Sequence, residues 1–215
     1  MKTLATLFCS LFLCSLVVNA QYEREKTRAG VYVTAGGNLS GATGWDNDAS
    51  GAERIWGFNA GLTFFALLDE KGRWMFNLDG NFSQQGFGNN EATAPTDIKR
   101  LIVSYINVPA ILKVRPFKGF PSMFVGAGPQ IGFQVGGHGK AVNGEKYDLK
   151  PEAVAKNVWS GVGVLGFNFD RLINFGIEFS YQHSFSKFLN TETNLRHSVF
   201  QGRLILPLDF IADLL

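Results

Sequence analysis

Between positions 174 and 186 the chain alternates without a break. Phe175, Ile177, Phe179, Tyr181, His183 and Phe185 occupy the odd positions, and Gly176, Glu178, Ser180, Gln182 and Ser184 the even ones. A period of two marks a strand whose two faces meet different surroundings. The run is too long for the usual strand of ~5–6 residues and matches the ~9–11 that cross a bilayer at a tilt. The rhythm recurs upstream. Trp74, Phe76, Leu78 and Phe82 oppose Asn77, Asp79, Asn81, Ser83 and Gln85, and Trp56, Phe58, Ala60, Leu62 and Phe64 oppose Gly57, Asn59, Gly61 and Thr63. Val125, Ala127, Ile131 and Phe133 oppose Gly126, Gly128, Gln130 and Gln134; near the end Phe200, Leu204, Leu206 and Leu208 oppose Gln201 and Arg203. Eight strands are predicted, over 29–39, 54–67, 73–87, 99–115, 121–136, 157–169, 172–186 and 196–210.

The links between them sort by length. Short ones, around 69–72, 116–120 and 170–171, follow the second, fourth and sixth strands; longer polar ones, 40–53, 88–98, 137–156 and 187–195, follow the odd strands. Strict alternation of short and long connections is the layout of an up-and-down membrane barrel with short periplasmic turns and long outer loops. The fold expected is therefore all-β: an eight-stranded antiparallel transmembrane β-barrel with a polar interior.

Alternation alone does not say which face is inside, since a soluble barrel buries its apolar face and a membrane barrel does the reverse. The length of the strands and the uncharged polar residues on the second face favour the membrane. That face carries only a few charges of both signs, Asp79, Lys113, Glu178 and Arg203. Eight strands leave room inside for side chains and little else, so these four are expected to form an interior polar network in place of a pore. Tyr22, Tyr32, Trp56, Trp74, Tyr105, Trp159 and Tyr181 lie towards strand ends, as the aromatic girdles of a membrane barrel do.

A secretory signal agrees with this placement. Lys2 precedes an apolar run from Leu4 to Val18, and Val18-Asn-Ala20 sets small residues for cleavage before Gln21. Residues 1–20 are read as a removed signal and 21–215 as the barrel domain. Both cysteines, Cys9 and Cys14, fall in the signal, so the exported chain has neither disulfides nor thiolate metal sites. Beyond the signal no apolar run reaches the ~18 residues of a membrane helix.

Composition adds less. The chain holds 25 Gly and 20 Phe, suited to close strand approach and to a bulky apolar face. Charge is almost balanced, with 20 basic against 18 acidic residues, and no basic arm or patch points to nucleic acid.

One segment goes further than pattern. Tyr105-Ile-Asn-Val-Pro-Ala-Ile-Leu-Lys-Val-Arg-Pro116 resembles the fourth-strand signature of the PorT-like outer-membrane β-barrel family of Bacteroidetes-type bacteria, and Phe124-Val-Gly-Ala-Gly-Pro129 resembles the strand that follows it. The resemblance implies an eight-stranded barrel in the outer membrane. It does not carry over the secretion role of the family's namesake. Pro109 and Pro129 fall mid-strand, where neither can donate to the ladder, and each is expected to mark a bulge.

Other chemical motifs are weaker. Gly161-x-Gly163-x-x-Gly166 matches a dinucleotide fingerprint in letters, yet it sits inside an alternating strand with no helix to follow. Asp46-x-Asp48-x-Ser50 opens like a calcium loop, but position twelve is Gly57. His183 and Ser184 point to opposite faces, no carboxylate orients the imidazole, and His138 and His197 are isolated in or beside loops, so no hydrolytic constellation forms. The expectation is a non-enzymatic scaffold without cofactor or metal. Its partners would be outer-membrane lipid and envelope or secretion proteins met by the outer loops or periplasmic rim, with 137–156 the foremost contact surface. Two alternatives stay open: a lipid-acting barrel enzyme, which needs a serine beside His183 on the same face, and a secreted soluble barrel, which needs Phe175, Ile177 and Phe179 inside.

Overall fold

The computed structural model describes residues 29–43, 52–89, 98–117, 122–141, 143–148, 155–169, 175–187 and 196–208. The signal segment, Tyr22 and the calcium-like stretch 46–51 lie outside them. The strands are β1 (Ala29–Thr43), β2 (Ala52–Glu53), β3 (Ile55–Leu67), β4 (Trp74–Asn89), β5 (Ile98–Val114), β6 (Met123–Ala141), β7 (Lys146–Asp148), β8 (Asn157–Phe169), β9 (Phe175–Ser184) and β10 (Arg196–Pro207). Eight of them close a barrel in the order β1-β3-β4-β5-β6-β8-β9-β10, with β10 returning to β1 and every neighbouring pair antiparallel. The short β2 and β7 pair with the outer ends of β4 and β6.

The wall is inverted relative to a soluble barrel. Trp56, Phe58, Leu62 and Phe64 of β3 face outward, as do Phe179 and Tyr181 of β9 and Phe200 and Leu204 of β10; Trp56 is 74% exposed. Asn59 and Thr63, Ser180 and Gln182, and Gln201 and Arg203 are buried on the same strands. An outward apolar face and a barrel closed by backbone pairing suit the strands to lipid.

Turn chemistry follows the residues present. The β3–β4 turn is closed by the Asp69 carboxylate, which accepts the Trp74 N–H at 2.8 Å, and Gly72 takes the positive φ of 62° that side chains avoid. Gly128 has a different reason: a Cβ there would run into the Ala110 carbonyl of β5, so the narrow barrel needs glycine at that approach.

Several outer elements differ from the sequence expectation. β1 runs on to Thr43 and β4 to Asn89, so the links 40–53 and 88–98 begin later than read. The segment 137–156 is not a plain loop. Its first residues continue β6, opposite Ile98–Val103 of β5, and β7 folds back on them through a turn at Gly144. Glycines at 136, 137 and 139 interrupt the alternation there, which hid a strand held by its partner. The seventh strand ends at Ser184 and not at 186; positions 172–174 of the expected strand lie outside the described residues.

The prolines do not make bulges. Pro109 pairs with Gln130 on β6, while towards β4 the rungs between Leu78–Ala110 and Asn81–Asn107 lapse with the register unchanged. Pro129 likewise pairs with Gly161 on β8, and the β5–β6 rungs between Pro109–Gln130 and Leu112–Ala127 lapse. A strand residue offers its N–H to one neighbour only, so proline costs a bond on that side and nothing on the other. The register shifts of β5 against β6 lie elsewhere, between Ile98 and Arg100 and between Ser104 and Tyr105. A further one separates Glu53–Gly88 from Asn59–Ser83, where residues 54–58 face the shorter stretch 84–87. That extra residue is a bulge at the outer end of β3, beside Arg54.

Candidate functional site

The barrel interior is layered. At the outer end Phe87, Leu101, Val103, Tyr105 and Val158 pack together. At the periplasmic end Tyr32 stacks on Phe65, ring centroids 4.4 Å apart. Between them lies a polar middle. Asn38 donates to Ser83 Oγ at 2.8 Å and Gln182 to Ser160 Oγ at 3.2 Å, while nearer the outer end Ser184 Oγ accepts the His197 N–H at 2.6 Å. The side-chain nitrogens of Asn59, Asn107 and Gln130 have no protein partner, which leaves water as the group able to satisfy them.

All four charges singled out from the sequence meet in the periplasmic half of this interior. Glu178 of β9, 0% exposed, accepts from Lys113 Nζ of β5 through Oε2 at 2.5 Å and from Arg203 Nε of β10 through Oε1 at 2.9 Å. Arg203 Nη2 continues to Asp79 Oδ2 of β4 at 2.6 Å. The chain Lys113–Glu178–Arg203–Asp79 thus spans from β5 across to β9 and β10 and back to β4, with two charges of each sign. Lys113 Nζ also lies 4.8 Å from the centre of the Phe124 ring. Burying four charges is tolerable because each finds an opposite one and the hydrogen bonds are directional.

This geometry explains the segment that begins at Tyr105. Tyr105, Asn107, Pro109, Ile111 and Lys113 are its buried residues, all on one face of β5. Phe124, which opens the second segment, lies under the Lys113 ammonium. The two quoted stretches therefore meet inside the barrel.

The aromatic positions divide. Trp56, Trp159 and Tyr181 are exposed near the outer ends of their strands and Trp74 near the periplasmic one. Tyr32 and Tyr105 belong to the interior instead, because their strand parity matches that of the buried polar residues. His197, the second residue of β10, is buried inside the barrel, 5.9 Å from Tyr105 ring to ring. His138 is exposed on β6 opposite Asp148.

His183 faces outward between Tyr181 and Phe185, with ring centroids 6.4 Å away on each side. The sequence pointed only to the inward Ser184; the fold brings Ser198 of β10 directly opposite His183 on the same outer face. No strand-internal spacing could have revealed that pair, because it depends on register. Ser198 Oγ makes no hydrogen bond with the imidazole, and among the described residues no carboxylate orients His183. A catalytic relay needs both. The interior requirement of a soluble barrel is also unmet: Phe179 is 53% exposed while Asp79 and Glu178 are buried. Gly161, Gly163 and Gly166 lie within β8, and among the described residues the next element is the strand β9.

Among the described residues no group of His, Cys, Asp and Glu is arranged to hold a metal ion. No protein-family profile matches the chain, and no curated protein is similar to it in sequence. Solved structures do resemble its fold. Neisserial surface protein A superposes with a TM-score of 0.50 at 13% identity, covering 83% of this chain and 98% of that one. Ail, the attachment invasion locus protein of Yersinia pestis, gives 0.43 at 16% identity, covering 83% and 98%. At these identities the likeness is one of architecture: the chain is an eight-stranded antiparallel barrel of the membrane type.

Proposed function

We propose that this protein is a small non-enzymatic barrel of the bacterial outer membrane, PorT-like, acting as an interaction scaffold without an open pore. One observation carries the reading: apolar aromatics cover the outside while the Lys113–Glu178–Arg203–Asp79 chain crosses the inside. An ion-paired network of that kind, with an apolar layer outside it, obstructs passage of solute. The alternation of short and long connections supports an outer-membrane orientation with the long links outward. The two segments that meet at Lys113 and Phe124 support the PorT-like assignment, and the fold likeness to Neisserial surface protein A is in keeping with it. The scaffold would offer its outer hairpin, where Lys140, Glu145, Lys146 and Asp148 are exposed, to other envelope proteins.

The test is heat-modifiable electrophoretic mobility of protein extracted from outer membranes, followed by conductance in planar bilayers. A folded form that shifts on boiling, needs detergent for extraction and passes no steady current is expected. Recovery as a soluble periplasmic protein would overturn the membrane reading, and steady ohmic channels would overturn the closed scaffold.

A further inference from the structure

The outer wall of β3, β1 and β10 holds a cation where a lipid-facing surface has least use for one. Arg54 sits at the bulge that ends β3 pairing, and its exposed side chain lies across β1. A Cβ on Gly41 would come to 3.0 Å from Arg54 Cγ, so the missing side chain makes the track, and Arg54 Cζ ends 4.8 Å from the Phe200 ring centre on β10. Neighbouring Glu53 goes the other way, its Oε2 reaching towards Gly88 on β4. Among the described residues no carboxylate pairs with Arg54.

A second, independent feature marks the same spot. Ser198 is the β10 partner of Gly41, two residues from Phe200. It is 1% exposed, and its hydroxyl has no hydrogen-bond partner. A buried donor left without an acceptor calls for one. His183 faces it from β9, and Arg196 stands on the same outward face one alternation further out. Below them the wall turns apolar, with Trp56 and Phe200 facing lipid. Cation above, aromatic below and a hydroxyl between match the boundary at which lipid headgroups carry phosphate.

We propose that Arg54 and Ser198 form a binding site for the phosphate of an outer-leaflet glycolipid headgroup. The planar guanidinium can give two parallel N–H donors to phosphate oxygens, Ser198 a third, and the acyl chains continue down over Phe200. The inference rests on the outer-membrane reading above.

The test titrates detergent-folded protein with phosphorylated lipid A, phosphate-free lipid A or inorganic phosphate, following the temperature at which the heat-modifiable form is lost. Wild type should bind the phosphorylated lipid about tenfold more tightly than the phosphate-free one and show no shift with inorganic phosphate. Arg54→Ala should lose that preference. Arg54→Lys should keep part of it, and Arg73→Ala, exposed at the periplasmic turn, all of it. Equal binding of both lipids by wild type, or an unchanged preference in Arg54→Ala, would overturn the site. A response to inorganic phosphate as strong as to lipid would overturn the lipid as its ligand. Every variant is first checked for the mobility shift on boiling, so failure of the barrel itself is seen separately from failure of the site.

Discussion

Ser40 of β1 serves both backbone groups of Gly86 on β4: its Oγ accepts the Gly86 N–H at 2.8 Å and donates to the Gly86 carbonyl at 3.0 Å. The two strands are not neighbours. Between them runs the stretch of β3 that loses its pairing with β4 at the bulge, and a single hydroxyl replaces the missing rung. Ser40→Ala should leave two buried backbone groups bare and cost about 1–3 kcal/mol. Urea unfolding of the barrel in liposomes, followed by the mobility shift, measures it. A change within experimental error would mean that the gap is satisfied by other means.

The interior charges should behave as a set. Glu178→Gln removes the partner shared by Lys113 and Arg203, and a buried charge stripped of its mate costs about 3–5 kcal/mol. Removing Lys113 as well, as Lys113→Met in the same chain, should recover a good part of that loss. A double variant as unstable as the sum of the two single ones would show that Lys113 and Glu178 are not coupled.

Depth along the wall can be read with arginine. Leu62→Arg, mid-way along β3 and facing lipid, should destabilise by about 2–4 kcal/mol, whereas Trp56→Arg at the outer end should cost about 0–1 kcal/mol. Equal effects, measured by unfolding in the same liposomes, would place the membrane boundary elsewhere.

Gly128→Val tests the narrowness of the barrel. Its branched side chain would meet the Ala110 carbonyl with nowhere to turn, because both belong to adjoining backbones. Loss of the folded, heat-modifiable form is expected, while Gly163→Val on the open outer face of β8 should fold.

Much of this was legible in the chain. Side-chain parity on β3, β4, β9 and β10 follows directly from the alternation, and it sends Asp79, Glu178 and Arg203 to one interior. What parity cannot supply is register. That Glu178 reaches both Lys113 and Arg203, that Ser198 sits opposite His183, and that Arg54 crosses Gly41 to Phe200 all depend on how far each strand slides against the next. The outer extension of β6 escaped for another reason: its glycines carry no alternation, and pairing with β5 alone makes it a strand. For Tyr32 and Tyr105 parity decides over nearness to a strand end, and it sends both inward.

The lapsed rungs at Pro109 and Pro129 meet at one place, since both border residues 108–111 of β5. Around that patch the cylinder has a seam where adjoining ladders go slack at the same height. Asp79 lies on the seam, opposite Pro109, and its carboxylate is gripped from inside by Arg203. The ion network is thus a splint, bracing by charge what the backbone does not fasten. Anything that loosens the splint should let amide exchange start on β4 and β5 and spread from there, with the β1–β10 junction the last to unzip.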